Sequence, residues 1–469
     1  MTKLTRTTNA MKALTDTGNV LTDLFFKVGS SRGKNLVAEF ATSYHIDPEK
    51  AVRLALWTRD AREGAGERQM ARDFLLWLEQ NHPEEILETM LLERLVELGR
   101  WDDLLIFQTK HIKRLAYARI KVALDNEEGL AAKWMPRKGA LAAELRTAFG
   151  WTPKYYRKRL VELTNVVETA MCSGDWTNID FNKVPSLAMA RYKAAFKRNA
   201  GDHFTSYAKA LEKGVQGTKV NAGAVFPYDV LKGLIGLHEH LLPSKSREEL
   251  AVIDAQWKAL PNWMDEQQIL PVVDVSGSMA GKEVVSGIDA LSVAVSLGLY
   301  CSDKNRGPFK DVFATFSSSP ELIILKGTIT QKIKQMVSSN WNMSTNLHAV
   351  FDLILKVALK AGVPQSGMPA GILILSDMQF NNCAQFDDSA IEMIRRKYEA
   401  AGYKMPGVVF WNINAYDNVP VQYNERGVAL VSGFSPTIMK SVLECDFASM
   451  TPVGVMTQTI MSDRYAYKK

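Results

Sequence analysis

Two carboxylates and three hydroxyls in the second half of the chain form the set of side chains with the plainest chemistry. Asp274, Ser276 and Ser278 stand in "DVSGSM", directly after the apolar run "QILPVV". Gly277 between the serines lets the backbone close, so both hydroxyls can face the same point as the acid. All are oxygen donors, the kind a hard cation such as Mg²⁺ takes in an octahedron while keeping some of its waters. Two more stand at suitable places. Thr345 opens a helical pattern in "NMSTNLHA", and Asp377 ends an apolar run in "LILSDMQ". Taken singly, Thr345 is better read as a helix cap and Asp377 as a solvated loop acid. Joined to an Asp-x-Ser-Gly-Ser turn behind a strand, the five read as one site for a single divalent cation, with Mg²⁺ expected.

Such a turn needs a strand to carry it, and the sequence from about residue 266 supplies strands alternating with helices. "QILPVVDV", "DVFATFSS", "LIILKG", "GILILSDM", "GVVFWNIN" and "GVALVSG" are short apolar runs. Between them "VSGIDALSVAVSLGLYCSD", "ITQKIKQMVSS", "NLHAVFDLILKVALKAG" and "SAIEMIRRKYEAAG" have helical spacing, and "PTIMKSVLEC" closes the set. Strands apolar on both faces and separated by helices predict a doubly wound, mostly parallel sheet. Ligands in such sheets bind beyond the carboxyl ends of the strands, where Asp274 and Asp377 fall. Pro271 removes an N–H from the first strand and is expected at that strand's first residue.

The preceding half has another grammar. "NLVAEFATSYHI", "PEKAVRLALWTRDAR", "ERQMARDFLLWLEQN", "PEEILETMLLERLVELGR" and "DDLLIFQTKHIKRLAYARIKVALD" place apolar residues three and four apart. Helices joined by short breakers predict stacked helical pairs, although no strict sequence repeat occurs. The expected layout is an N-terminal arm (1–35), a helical-repeat domain (36–255) and an α/β domain (256–469). The helical half is also the basic half: residues 110–219 carry 21 Lys/Arg against 10 Asp/Glu, a net of +11. The whole chain is +6, so the remainder sums to −5. That split fits a polyanion partner, or equally a set of solvated helix faces. Within it, "KYYRKRL" offers Lys154, Arg157, Lys158 and Arg159, and "RYKAAFKR" offers Arg191, Lys193, Lys197 and Arg198, with aromatic residues interleaved. Cations can track phosphates and aromatic rings can stack unpaired bases, which makes these eight the candidate RNA contacts. The tyrosines themselves read better as core anchors.

Composition narrows the classes further. At 469 residues, 46% apolar and 23% charged, the chain is a globular protein of more than one domain. No apolar run is long enough to span a bilayer, and no secretory signal opens the sequence, so an intracellular, cytoplasmic protein is expected. Cys172, Cys301, Cys383 and Cys445 lie far apart, against a zinc site or a disulfide framework. His238-Glu239-His240 is not a zinc motif, and "GAGER" lacks a P-loop lysine. No general base or nucleophile accompanies the five-residue set, and His348 reads as a helix residue, so no enzyme is expected.

The DxSGS turn with Thr345 and Asp377 resembles the metal-ion-dependent adhesion site of von Willebrand factor A domains, over about residues 266–469. The resemblance implies Ser276, Ser278 and Thr345 as Mg²⁺ ligands, Asp274 and Asp377 as direct or water-bridged ones, and an open position for a partner's carboxylate. In the helical half, "LWTRDAREGAGERQMARDFLLWL" and "VELGRWDDLL" are similar to segments of Ro-type proteins, whose helical-repeat (TROVE) module precedes such a domain. Gly64, Gly66, Glu67, Arg68 and Arg72 carry the first match; Gly99, Arg100, Trp101, Asp102 and Asp103 carry the second. "LTDTGNVLTDLFFKVGSSRG" and "DWTNIDFNKVPSLAMARYKAAFKR" resemble a Ro-like group also found in viruses and plants, which would place a viral member in host cytoplasm. The resemblance implies a HEAT-like helical ring, a ribonucleoprotein scaffold acting as a monomer, and small structured or single-stranded RNA as ligand. The rival expectation is a protein-interaction module whose metal engages an acidic residue of a partner, such as a MoxR-like AAA+ ATPase or a viral assembly component.

Overall fold

The computed structural model describes residues 3–8, 10–164, 166–235, 244–264, 268–279, 283–285, 288–339, 345–380, 390–414, 418–435 and 437–468. Cys383 and His238-Glu239-His240 lie outside them. Contacts divide the chain into two compact units, Met1–Lys34 with Val225–Ile460 and Asn35–Ala224 with Met461–Lys469. These borders differ from the layout read in sequence: the arm and the segment from Val225 join the sheet unit, and residues 461–469 join the helical one.

The arm joins because it is apolar. A hairpin of β1 (Leu4–Arg6) and β2 (Lys12–Leu14) leads to a helix, Val20–Val28, capped by Asn19 and burying Leu24, Phe25, Phe26 and Val28. Side chains of that size need an apolar surface to cover, and the sheet provides it. Its strands are β3 (Ile269–Val273), β6 (Val312–Thr315), β7 (Leu322–Ile324), β8 (Gly371–Ser376), β9 (Gly407–Asn412) and β10 (Val428–Ser432); a small separate ribbon pairs β4 (Glu283–Val285) with β5 (Ile288–Asp289). The order across the large sheet is β10-β9-β8-β3-β6-β7, with only the β6–β7 pair antiparallel.

Alternation sorts the strand residues onto two faces. Leu270, Val272, Ile372, Ile374, Val408, Phe410, Val428 and Leu430 share one core with Val350, Phe351 and Ile354 of helix Leu347–Ala361, and with Met11 and Phe26 of the arm. Helix Ala290–Lys304 contacts β3, β6 and β8, with Gly298 so near Val273 that a Cβ there would lie 2.4 Å from its Cγ2. That helix is buried nearly all round, as a helix without a polar face must be. Pro271 is the third residue of β3, not the first. The Asp274 N–H donates to the Leu375 carbonyl on β8, so alternation turns position 271 toward β6. Pairing with β6 begins only at Val272, and the missing N–H costs no ladder bond.

In the helical unit, Val37–Ile46, Pro48–Arg59 and Arg68–Asn81 pack on one another, and Lys110–Asp125 packs on Gly129–Trp134 and Gly139–Phe149. "PEEILETMLLERLVELGR" is two helices, Glu84–Leu87 and Leu91–Leu98, and a short 3-10 turn (Trp101–Leu105) precedes Lys110. Arg72, Arg100, Asp102 and Asp103, from the two segments singled out in this half, meet Arg59 in a buried ion cluster. Asp103, fully buried, binds Arg59 at 2.6 Å and Arg72 at 2.7 Å, while Asp102 binds Arg72 at 2.9 Å and Arg100 at 2.6 Å. Burial works to raise the Asp102 carboxyl, but hydrogen bonds from Arg100 and Arg72 hold it below the usual range. Gly99 is required by this packing: a Cβ there would sit 2.5 Å from Asp103 Oδ2. Residues 461–469 add a second pair, Arg464 Nε to Asp60 at 2.5 Å, with Tyr465 donating to the same carboxylate at 3.1 Å.

Candidate metal centre and basic surface

From β3 the chain goes to β6 on one side and later returns to β8 on the other, so the winding reverses between β3 and β8. A crevice opens at such a reversal beyond the carboxyl ends, because neighbouring loops leave in opposite directions. Asp274 follows β3 and Asp377 follows β8. Both are fully buried. Asp274 Oδ1 accepts the Ser276 N–H at 2.9 Å, and Oδ2 accepts the Ser376 hydroxyl at 2.6 Å. Gly277–Met279 forms one 3-10 turn, pinned by buried Met279, which brings the Ser276 and Ser278 hydroxyl oxygens to 3.0 Å. Ser278 itself is exposed. The turn gathers the motif as its spacing requires.

Thr345 and Asp377 are joined through a residue between them in space. Asp377 Oδ1 accepts the Gln379 N–H at 3.1 Å, and the Thr345 hydroxyl donates to the Gln379 carbonyl at 2.7 Å. The helix behind Thr345 is capped by Asn346, whose side chain accepts from the Ala349 N–H, so capping is not the role of Thr345. Asp377 is not a solvated acid either. His348 is a helix residue, 3.5 Å from Asp352.

The electrostatics suit a cation. Burial first, and then the neighbouring Asp377, push the Asp274 carboxyl up, while bonds from Ser376 and Ser276 only partly offset them. A buried anion facing another anion is costly unless a positive charge neutralises the pair. Two carboxylates with the hydroxyls of Ser276, Ser278 and Thr345 are an all-oxygen donor set of the kind Mg²⁺ takes, and the residues fit that ion. Among the described residues no group of three or more His, Cys, Asp or Glu gathers to hold a metal, so this site would depend on hydroxyls. Ser376 and Gln379 escaped sequence reasoning. Ser376 was accessible from register, because Val273 pairs with Leu375 and the next residues of both strands must meet.

The eight candidate RNA contacts fall into three groups. Lys154, Arg157 and Lys158 on helix Pro153–Leu163, and Arg191 and Arg198 on helix Ser186–Glu212, are exposed. Arg159 and Lys197 are half-buried, Arg159 bound to Glu127 at 3.3 Å and Lys197 donating to Thr205 at 2.9 Å. Lys193 is 4% exposed and donates to the Ala190 carbonyl, away from any surface ligand. It lies four residues past Met189 and three before Phe196, both fully buried, so helical spacing marks its inward face. Tyr156 is core, whereas Tyr155 is half exposed and stands edge-on to Trp151.

A groove that sequence reasoning missed lies between helices Lys110–Asp125 and Gly139–Phe149. It encloses about 780 Å³, and Lys110, Lys113, Arg114, Tyr117, Lys121 and Phe149 line it. Lys113 pairs with Glu144 at 2.8 Å and Lys121 with Asp125 at 2.7 Å. Lys110 and Arg114 make no ion pair among the described residues. These cations lie along one helix face, inside an apolar helical pattern in the sequence. Past Lys121 the surface continues to Trp151, whose ring lies 5.8 Å from the Lys121 ammonium.

Two family models match successive parts of the chain. A domain of unknown function (DUF2828) matches residues 7–107 and 140–270, and a second one (DUF7788) matches residues 268–464, beginning one residue before β3. "Uncharacterized protein L728" of Acanthamoeba polyphaga mimivirus is 29% identical over 505 residues, spanning 95% of this chain and 86% of the viral protein. Among solved structures, the Deinococcus radiodurans RO (RSR) protein aligns over 94% of this chain and 99% of its own, at 14% identity and a TM-score of 0.41. No described helix is long and apolar enough to cross a membrane.

Proposed function

We propose that the chain is a Ro-type RNA-binding scaffold. It takes up small, misfolded or single-stranded RNA on the basic surface of its helical unit, and its sheet unit carries a Mg²⁺-dependent docking point of von Willebrand A type. No bond is made or broken in this reading. The observation that carries it is the groove along Lys110–Asp125, where Lys110 and Arg114, with no ion pair among the described residues, stand beside Lys113 and Lys121. Eleven residues of helix put Lys110 and Lys121 about 16 Å apart, a row of charge suited to an extended phosphate backbone. Trp151 and Tyr155 beyond its end give rings on which unpaired bases could stack.

The test is a salt series of fluorescence anisotropy with a single-stranded RNA oligomer and with the same sequence as a duplex. The single strand should bind more tightly. Lys110→Glu combined with Arg114→Glu should weaken binding and flatten the salt slope by about 1.4, at roughly 0.7 per lost phosphate contact on a single strand. Unaltered affinity in that double variant would sink the groove, and no RNA binding by the wild type would sink the reading.

A second reading has its own support, the exposure of Ser278 beside two buried acids. A cation held there would face outward and take a carboxylate from a protein partner. On that reading Asp274→Ala removes a Mg²⁺-dependent partner from pull-downs and leaves the fold intact. Partners retained equally by the variant would rule it out.

A further inference from the structure

We propose that Gln379 is a positioning residue of the cation site, and that through it the N-terminal hairpin sets how tightly the site holds a divalent cation. The proposal rests on the metal reading of Asp274, Ser276, Ser278, Thr345 and Asp377.

Gln379 is 4% exposed and uses its peptide groups and its side chain for different tasks. Its N–H holds Asp377 Oδ1 at 3.1 Å, and its carbonyl takes the Thr345 proton at 2.7 Å. A hydroxyl that gives its proton to a carbonyl turns lone pairs toward its remaining neighbours, which is the form a cation needs. A carboxylate with one oxygen fixed by an N–H has its plane fixed as well. One residue therefore orients donors from two separate elements.

What holds Gln379 comes largely from the first fourteen residues. Its Oε1 accepts the Thr8 N–H at 2.7 Å, and its Nε2 donates to Asn418 Oδ1 at 2.9 Å. The next carbonyl, of Phe380, accepts the Thr7 hydroxyl at 2.6 Å. Thr7 Oγ1 also accepts the Met11 N–H at 3.0 Å, so the same hydroxyl closes the hairpin turn and grips the loop. Leu14 then bridges antiparallel to Val419, the neighbour of Asn418. The hairpin thus holds both flanks of the Gln379 amide. Partners behind metal ligands fix ligand orientation, and their loss typically lowers metal affinity about 10–100-fold. Coupling is reciprocal, so a bound cation must tighten the hairpin to the extent that the hairpin tightens the cation.

The experiment uses the full chain. Mn²⁺ as probe is titrated calorimetrically into wild type, Gln379→Ala, Thr7→Val and Thr7→Ser, and melting of each metal-free protein is recorded. Hydrogen exchange of residues 4–14 is followed in wild type with and without Mg²⁺. Thr7→Val keeps the shape and loses the hydroxyl; Thr7→Ser keeps the hydroxyl. Gln379→Ala and Thr7→Val should each weaken Mn²⁺ by about tenfold or more, Thr7→Ser should stay near wild type, and Mg²⁺ should slow hairpin exchange. A hairpin that merely stabilises the fold would lower melting in the variants and leave Mn²⁺ affinity unchanged, which overturns the proposal. Hairpin exchange indifferent to Mg²⁺ overturns it without recourse to any variant. Failure of wild type to bind Mn²⁺ is a separate result that removes the metal reading first.

Discussion

Asp103 in the helical unit and Asp274 in the sheet unit are both fully buried, and they are served in opposite ways. Asp103 lies between Arg59 and Arg72, with the Arg100 N–H at 2.8 Å, so its charge is cancelled within the protein. Asp274 has a serine N–H and a serine hydroxyl to set against its burial and a second acid. The first arrangement is neutralised from within, and the second would be neutralised by a cation. Arg72, Arg100, Asp102 and Asp103 of the helical unit therefore build scaffold, whereas Asp274 and Asp377 of the sheet unit leave a charge to be neutralised.

Removing one partner from the neutralised cluster should have the largest effect. Asp103→Ala leaves Arg59 and Arg72 buried without their carboxylate and should cost about 3–5 kcal/mol in denaturant unfolding. A loss below about 1 kcal/mol would mean that the cluster is solvated and the contrast false. Next comes the Asp274 site. With Mg²⁺ at one hundred times its dissociation constant, wild type should gain about 2.7 kcal/mol over a chelated sample, and Asp274→Asn should gain nothing. Without metal, the same variant should be no less stable than wild type, because it removes a like-charge contact; marked destabilisation in chelator would show that Asp274 is structural. The smallest effect belongs to a pair that is matched but exposed. Lys158 and Glu162, 3.6 Å apart with side chains 72% and 49% exposed, should contribute no more than about 0.5 kcal/mol, read from Lys158→Ala. A value near that of Asp103 would make pairing, not burial, the governing variable.

Much of this contrast is legible in the sequence, because local period and strand ends carry it. The six strands of the large sheet and the helices between them follow from apolar runs and three- and four-residue spacing, and Asp274 and Asp377 stand out as acids that end such runs. Leu21, Leu24, Phe25 and Val28 show the same spacing in the arm, a signal for a docked helix that could have been read. Lys193 likewise betrays its burial by its distance from Met189 and Phe196. The rest is non-local. Nothing near Gln379 announces that Thr7 and Thr8, some 370 residues earlier, would hold its loop. The groove cations at 110, 113, 114 and 121 share a helix whose apolar spacing reads as core, and the groove itself needs the second helix, Gly139–Phe149.

The path of the chain through the two units sets a clock on their completion. Gly29 bonds to Ser432 across 403 residues, and Arg464 reaches Asp60 across 404. At roughly 5–20 residues per second, the helix bearing Phe25 and Phe26 waits about 20–80 s on the ribosome for the strand it covers, and the buried carboxylate of Asp60 waits as long for its arginine. Apolar side chains left uncovered for that time are a hazard that chaperones meet, so slowing translation should lower soluble yield more than stability measured on the finished protein would suggest.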